Sequence, residues 1–146
     1  MPDILNPNIH FFFEGSKPPL KNRQKLKSFI SSIFIAEKRK LESLNFIFTN
    51  DRTIHGINKR YLDHDFYTDI ITFQLSNGTN PVIAEVYISS DRVKENAAIH
   101  NTSFREELHR VIFHGVLHLC GYRDKSSPQT KKMRARENTY LLKYFG

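Results

Sequence analysis

The sequence contains very little cysteine, no tryptophan and no long apolar run. Cys120 is the single cysteine among 146 residues, so a disulfide within the chain is excluded. One free thiol suits a reducing compartment. No apolar stretch approaches the roughly 18–20 residues that span a bilayer, and the short run at 9–13 lacks the basic flank and cleavage site of a signal peptide. We therefore expect a cytoplasmic protein that does not enter a membrane.

The length and composition are those of one ordinary globular domain. The hydrophobic content is 39% and the charged content is 25%. A chain of 146 residues can bury a core without disulfide bonds or a structural metal ion. We expect a single domain over residues 1–146. The net charge of +7 favours polyanions such as nucleic acids. Many small basic proteins bind no polyanion specifically, so charge alone leaves the partner open.

The hydrophobic periodicity predicts an α+β fold, with roughly four strands in one mixed sheet and about five helices packed around it. The predicted strands are 9–13, 44–48, 69–75 and 84–89. The turn at 76–81 suggests that the last two pair antiparallel. Five helices are predicted. The first spans 20–40, the second spans 52–62 and is capped by Asp51, and the third is short, is capped by Ser90 or Asp91 and runs to about 100. The fourth is opened by a Ser103/Glu106 capping box, and the fifth spans 128–144. The strand order is not readable from the pattern.

The segment 114–124, His-Gly-Val-Leu-His-Leu-Cys-Gly-Tyr-Arg-Asp, carries most of the functional information. His114 and His118 are four residues apart in an apolar helical stretch, so both side chains project from one face and can bind one metal ion. Gly121 can end the helix and turn the chain, which would allow Asp124 to return as a third ligand. Three ligands leave open positions, as in a catalytic site. This set suits Zn²⁺, although Fe²⁺, Mn²⁺ and Ni²⁺ accept the same ligands.

Three nearby residues are weaker candidates. Cys120 lies about 200° around the helix from His118, so it is interpreted as a small hydrophobic residue rather than a ligand. Glu107 lies on nearly the same face as His114 but about 10 Å along the axis, so it is at best a residue behind the ligands or on the substrate side. We favour the alternative that it is a solvated or ion-paired residue of the helix. Gly115 stands where metallopeptidases have their general base, which argues against a peptidase.

The same segment resembles the signature of the YbeY family, His-Gly-x-Leu-His-Leu-x-Gly-Tyr-Asp-His, in which all three histidines bind the metal. These proteins are metal-dependent, single-strand-specific endoribonucleases that act in ribosomal RNA maturation and ribosome quality control. The match departs at Arg123, where the family usually has Asp, and at Asp124, where it has the third His. A carboxylate can replace an imidazole as ligand, and its charge would alter the metal preference and the acidity of bound water.

The resemblance extends over roughly residues 45–140. Segment 57–73 is similar to the family stretch Leu-Asn-x-x-Tyr-Arg-x-x-Asp-x-Pro-Thr-Asp-Val-Leu-Ser-Phe, and segment 84–89 is similar to Gly-Asp-Ile-x-Ile-Ser. Met133 and Glu137 fit the C-terminal helix. Two departures are Leu62, in place of an arginine that is a candidate RNA or catalytic contact, and Tyr67, in place of proline. Arg123 is a possible substitute for the missing arginine.

The resemblance implies a zinc-dependent endoribonuclease that hydrolyses RNA phosphodiester bonds in 16S rRNA 3′ end maturation and ribosome quality control. Its expected partners are single-stranded RNA, ribosomal RNA and the ribosome. The metal-bound water is the only catalytic group that the sequence identifies, and attack by that water or by the RNA 2′-OH stays open. Arg110 and Arg123 are the candidate RNA contacts, and a second basic cluster, which is equally compatible with a solvated helix face, comprises Lys131, Lys132, Arg134 and Arg136.

One alternative comes from a different functional class. The chain could be a non-catalytic ribosome- or RNA-binding module in which the site holds a structural metal or none. Four protein ligands would favour that role, and only three are visible.

Overall fold

The computed structural model describes residues 8–63 and 68–146. The helices and strands in chain order are β1 Asn8–Phe13, α1 Arg23–Ala36, β2 Leu41–Thr49, α2 Asp51–Leu62, β3 Ile70–Gln74, β4 Val82–Ser89, α3 Ser90–His100, α4 Phe104–Leu119 and α5 Ser127–Phe145. The predicted fold class is confirmed: one four-stranded mixed sheet is combined with five helices. Tyr67, where the sequence departs from the family pattern, lies outside the described residues.

The sheet has the strand order β1-β2-β4-β3. β1 and β2 are parallel, β2 and β4 are parallel, and only β3 runs antiparallel to its neighbour β4. The predicted pairing across the 76–81 turn is thus confirmed, with Ile71 opposite Tyr87. β2 and β4 are central. Buried and half-buried side chains alternate along most of β4, as in a sheet with one more tightly packed face, whereas the second half of β2 is buried at every position.

Two predicted helix caps are wrong by one residue. The α2 cap is Asn50, whose Oδ1 accepts the Thr53 backbone N–H at 2.9 Å, rather than Asp51. Asp51 lies in the first turn, where its carboxylate accepts from Ser89 Oγ and pairs with Arg92. Ser89 itself caps α3 through the Arg92 backbone N–H, so neither Ser90 nor Asp91 does. In both cases a strand ends directly in a helix, and the cap is therefore the last extended residue.

Helix α1 is shorter than predicted, because it begins at Arg23 rather than at residue 20 and ends at Ala36. Helix α4 begins as expected: Ser103 Oγ accepts the Glu106 backbone N–H at 3.0 Å. α4 is the most deeply buried helix of the site region, and ten of its sixteen residues are buried. None of the helices in the described ranges combines the length and apolarity that a membrane crossing requires.

Gly115 allows α4 to lie unusually close to the sheet. A Cβ atom at this position would lie 2.9 Å from Ile70 Cδ1 on β3 and 3.3 Å from Val86 Cγ1 on β4. The close approach fixes the height of the neighbouring His114 above the sheet. The glycine after the first histidine thus has a packing role.

We expect Gly115→Val to lower the free energy of unfolding by about 2 kcal/mol, because overpacking a filled interface typically costs 1–3 kcal/mol. The matched control is Gly56→Val in α2, where a Cβ meets nothing within 4 Å. That variant should change stability by no more than about 0.5 kcal/mol. Urea unfolding of both variants measures the difference, and equal effects would show that Gly115 has no special contact with the sheet.

His109 is a buried histidine on α4 that faces away from the candidate site. Its Nδ1–H donates to the Arg105 carbonyl at 2.7 Å, and its Nε2 is buried without a hydrogen-bond partner among the described residues. The ring stacks on Tyr144. Burial lowers the pKa of His109, and the charges of Arg105 and Lys25 lower it further, so the folded protein holds the neutral imidazole.

Stability should therefore fall with acidification below about pH 6.5, where the unfolded chain binds a proton at His109 and the folded chain does not. Because this single difference contributes at most about 1.4 kcal/mol per pH unit, we expect His109→Phe to lose less stability than the wild type between about pH 7 and about pH 5. Thermal unfolding at several pH values measures this. His10→Phe, at an exposed position on β1, is the control. If the pH profile of His109→Phe matches that of the wild type, His109 is not the titrating group.

Candidate metal centre

The last two turns of α4 bring the predicted histidine pair to one face of the helix. The His114 and His118 ring centroids are 4.6 Å apart. Asp124, beyond the end of the helix, lies opposite both: its Oδ2 is 3.3 Å from His114 Nε2 and 3.4 Å from His118 Nε2. One ligand atom from each residue lies within 4.8 Å of the other two. The three predicted ligands therefore come together in an arrangement that could hold one metal ion.

Hydrogen bonds to the other ring nitrogens orient both histidines. His114 Nδ1 is 2.5 Å from Glu137 Oε2, and His118 Nδ1 is 2.9 Å from the Tyr122 carbonyl oxygen. Both partners are acceptors, so each Nδ1 carries a proton, and each Nε2, which faces Asp124, is the ring nitrogen available to a metal ion. Metal-binding histidines typically have this second hydrogen bond, which fixes the tautomer and the ring plane. The donor set thus fits a metal ion in chemistry as well as in position.

The turn after α4 explains how Asp124 reaches the histidines. Gly121 has a φ of 104°, a conformation that side-chain-bearing residues rarely adopt. The Gly121 backbone N–H donates to the His118 carbonyl, and the Tyr122 N–H donates to the Leu117 carbonyl. These two bonds form a Schellman motif, which ends the helix and reverses the chain. The predicted role of Gly121 is confirmed by this geometry.

Side chains from α1 and α5 secure the turn. The Tyr122 hydroxyl donates to Glu37 at 2.9 Å, and Thr130 Oγ1 donates to the Asp124 carbonyl at 3.2 Å. Arg136 Nε in turn donates to the Tyr122 hydroxyl. The turn that carries Asp124 is therefore held both by nearby Thr130 and by Glu37, which is distant in the sequence.

Glu137 on α5 is a functional residue to which the sequence analysis gave no role in the site. It is buried and bridges two side chains of α4, since Oε2 contacts His114 and Oε1 accepts from Arg110 Nη1 at 3.0 Å. Burial favours a raised pKa for Glu137, but His114 and Arg110 outweigh it and lower the pKa. Burial likewise favours a lowered pKa for His114, and Glu137, followed by Asp124 and Asp69, raises it. Glu137 is therefore a carboxylate, positioned to orient His114.

Two clefts meet at the site. The larger, of about 690 Å³, opens over β3 and includes Leu62 and Lys125 in its lining. The smaller, of about 310 Å³, lies among α3, α4 and α5. His114, Asp124 and Asp69 line both clefts. Asp69 appeared in the sequence analysis only as part of the 57–73 resemblance. Burial raises its pKa, and Asn96 Nδ2 donates to its Oδ2 at 3.4 Å.

The two arginines predicted to contact RNA differ in their surroundings. Arg110 is largely buried, and besides Glu137 it donates to Asn138 Oδ1 at 2.7 Å. Arg123 is exposed beside His118 and forms no ion pair with any described residue. Arg123 is therefore the arginine that is accessible to a ligand, and its contact with RNA stays a prediction.

The structure also bears on the interpretations of Glu107 and Cys120. The solvated interpretation of Glu107 is wrong, because the residue is buried in α4 and faces the smaller cleft; His100 Nδ1, at 3.8 Å, is the basic group within ion-pair distance. The error arose because the helix opposite Glu107 could not be identified from local spacing. Cys120 is absent from the cluster of potential ligands and packs half-buried against the core, and its burial raises the pKa of the thiol to about 12.

In comparisons with known proteins, the family model and the similar sequences carry the same name. The family model described as endoribonuclease YbeY matches residues 14–145. Endoribonuclease YbeY of Cytophaga hutchinsonii is 41% identical over 133 residues, which cover 91% of this chain and 93% of that protein. The Flavobacterium johnsoniae protein of the same name is 40% identical over 136 residues, covering 93% and 96%. The solution structure of TM1509 from Thermotoga maritima aligns with a TM-score of 0.64 and 28% identity, over 94% of this chain and 89% of that one.

Proposed function

Because the chain belongs to the YbeY endoribonuclease family, we propose that it is a metal-dependent, single-strand-specific enzyme that hydrolyses RNA phosphodiester bonds. Its proposed role is 16S rRNA 3′ end maturation and ribosome quality control in the cytoplasm. The proposed partners are single-stranded RNA and the ribosome, the proposed cofactor is one Zn²⁺ ion, and the catalytic domain spans residues 1–146.

The observation that supports metal dependence is the convergence of His114 Nε2, His118 Nε2 and Asp124 Oδ2, with both Nδ1 atoms already hydrogen-bonded. These three residues would hold the metal. When bound, Zn²⁺ supplies a Lewis acid that polarises a phosphoryl oxygen and lowers the pKa of water to near 7. With three protein ligands, positions stay open for water and for the substrate.

Other residues around the site would orient the ligands, set its charge and attract the RNA. Glu137 and the Tyr122 carbonyl hold the two imidazoles in the tautomer that leaves Nε2 free. Asp124 contributes a negative charge where the family has a neutral imidazole, which lowers the positive charge of the site. Lys125, in the lining of the larger cleft, and Arg123, exposed beside His118, would attract the RNA backbone. Arg123 would thereby take over a contact that Leu62 cannot make.

The test is cleavage of a labelled single-stranded RNA, compared with the same sequence in a duplex. The protein is first stripped with a chelator and then reloaded with Zn²⁺ or Mn²⁺. We expect no cleavage after stripping, restored cleavage after reloading, and little cleavage of the duplex. A 16S rRNA 3′ precursor, free and within small subunits, tests the ribosomal role.

Other outcomes would refute parts of the proposal. Cleavage that survives stripping would contradict metal dependence. A metal-loaded protein that binds RNA and cuts neither free RNA nor ribosomal precursor would support the non-catalytic binding module.

A further inference from the structure

The smaller cleft contains a buried carboxylate that the proposed metal site does not use. Glu107 is only 6% exposed, and it lies two turns before His114 on α4. Its carboxylate makes no hydrogen bond to any described residue. The nearest basic group is His100 Nδ1 at 3.8 Å, beyond hydrogen-bond length, on a side chain that is 47% exposed.

Two of the other carboxylates in this cleft already accept hydrogen bonds. Glu137 uses one oxygen for His114 and the other for Arg110, and Asp69 accepts from Asn96 at one oxygen. Among the described residues, no hydrogen bond occupies either oxygen of Glu107, so both can accept from a ligand that donates hydrogen bonds in the cleft.

The chemistry of the cleft restricts what can bind there. Four carboxylates, those of Asp69, Glu107, Asp124 and Glu137, line it together with two arginines, Arg110 and Arg134, so the excess of negative charge favours a hydrogen-bond donor over a phosphate group. Val111 and Met133 add apolar surface that suits the faces of an aromatic ring. The volume of about 310 Å³ is at the lower end for ligand pockets and suits one base rather than a length of strand. The ligand should therefore be flat, uncharged and rich in N–H donors.

Guanine fits this description better than the other RNA bases. Its N1–H and N2–H₂ groups point the same way and can donate together to the two oxygens of one carboxylate. Adenine and cytosine each offer a single amino group beside an acceptor, and uracil offers one N–H. A carboxylate therefore discriminates in favour of guanine by the number of paired donors.

We propose that the smaller cleft is a base-specificity subsite, in which Glu107 accepts hydrogen bonds from N1–H and N2–H₂ of a guanine adjacent to the bond that is cleaved. The proposal rests on the proposed endoribonuclease function for its location, since His114 and Asp124 line both this cleft and the larger one. In this arrangement the RNA backbone lies beside Arg123, and one base points into the smaller cleft.

The first test uses the wild-type protein and changes the RNA. Short uridine oligonucleotides contain either one guanosine or one inosine, which lacks the N2 amino group. We expect cleavage beside guanosine to be about tenfold faster than beside inosine, as for the loss of one bidentate contact. Equal rates would overturn the proposal.

The second test changes the carboxylate and keeps its size. Glu107→Gln should remove the difference in cleavage rate between guanosine and inosine. Glu106→Gln, one residue earlier on α4 and outside the cleft lining, is the control that should retain the preference. A guanosine preference that survives Glu107→Gln would exclude Glu107 as the recognising group.

A binding measurement separates failure of the subsite from failure of the proposed function. The same two oligonucleotides, carrying a fluorescent label, are titrated with chelator-treated wild-type protein and followed by anisotropy. Tighter binding of the guanosine oligonucleotide supports the subsite even if no RNA is cut. Equal binding of both contradicts the subsite, whatever the cleavage assay shows.

Discussion

The His118→Ala variant is expected to lose both its bound metal and its RNA cleavage while retaining its fold. His118 Nε2 is one of three converging ligand atoms, and the remaining pair cannot replace it. Loss of a residue that merely orients a ligand costs roughly 10- to 100-fold in metal affinity, so we expect loss of a direct ligand to exceed about 100-fold. The side chain is partly exposed, at 29%, so its removal leaves no closed cavity in the core.

Metal content by elemental analysis, cleavage of single-stranded RNA and circular dichroism measure the three parts of this prediction. The control is His10→Ala, an exposed histidine on β1 that lies outside the metal cluster. It should keep both the metal and the activity. If His118→Ala still cuts at the wild-type rate, the measured activity does not come from this site.

Much of the site could be predicted from one stretch of eleven residues because helical geometry is local. The spacing of four places His114 and His118 on one face whatever surrounds the helix. Gly121 signals the end of the helix, and its Schellman bonds reverse the chain towards the histidines. The contacts of Glu37 and Thr130 that hold this turn were not predicted. The prediction succeeded where each step depended on the next few residues.

The partners of these ligands could not be predicted in the same way. Glu137 is 23 residues from His114, and no spacing rule joins positions on two different helices. Glu107 was misinterpreted for a related reason: the sequence shows that it shares a helix face with His114, but not that α3 and α5 cover that face. The identity of a residue is local information, whereas its burial depends on packing.

The sheet shows the same difference between local and long-range information. The β3–β4 pair was predictable because a short turn joins two adjacent strands, whereas β1, β2 and β4 pair in parallel across intervening helices. Parallel neighbours need long crossovers, so the sequence between them carries no direct signal of pairing. The two wrong caps lie at strand-to-helix junctions: Ser89 is the last residue of β4 and caps α3, and Asn50 follows β2 and caps α2.

Replacing Glu137 should weaken metal binding although Glu137 is not a ligand. Its carboxylate holds the proton of His114 on Nδ1, so that Nε2 faces the metal, and it raises the basicity of the ring. Glutamine can still accept one hydrogen bond but lacks the charge, so we expect Glu137→Gln to lower Zn²⁺ affinity by about 10-fold. Glu137→Ala removes the contact altogether and should lower it by about 100-fold. It also leaves Arg110 without its ionic partner, at a cost of up to about 3 kcal/mol of stability.

Competition with a chromophoric chelator measures Zn²⁺ affinity without reference to activity, which separates orientation of the ligand from any effect on catalysis. Asn138→Ala is the matched control: Asn138 is adjacent on α5 and also bonds Arg110, but it does not contact His114. If orientation of His114 is what matters, Asn138→Ala should bind Zn²⁺ within about twofold of the wild type, and the glutamine variant should bind more tightly than the alanine variant. An equal loss in the Asn138 and Glu137 variants would instead assign the effect to Arg110 and the packing of α4 against α5, and the Glu137–His114 hydrogen bond would then have no specific role in holding the metal.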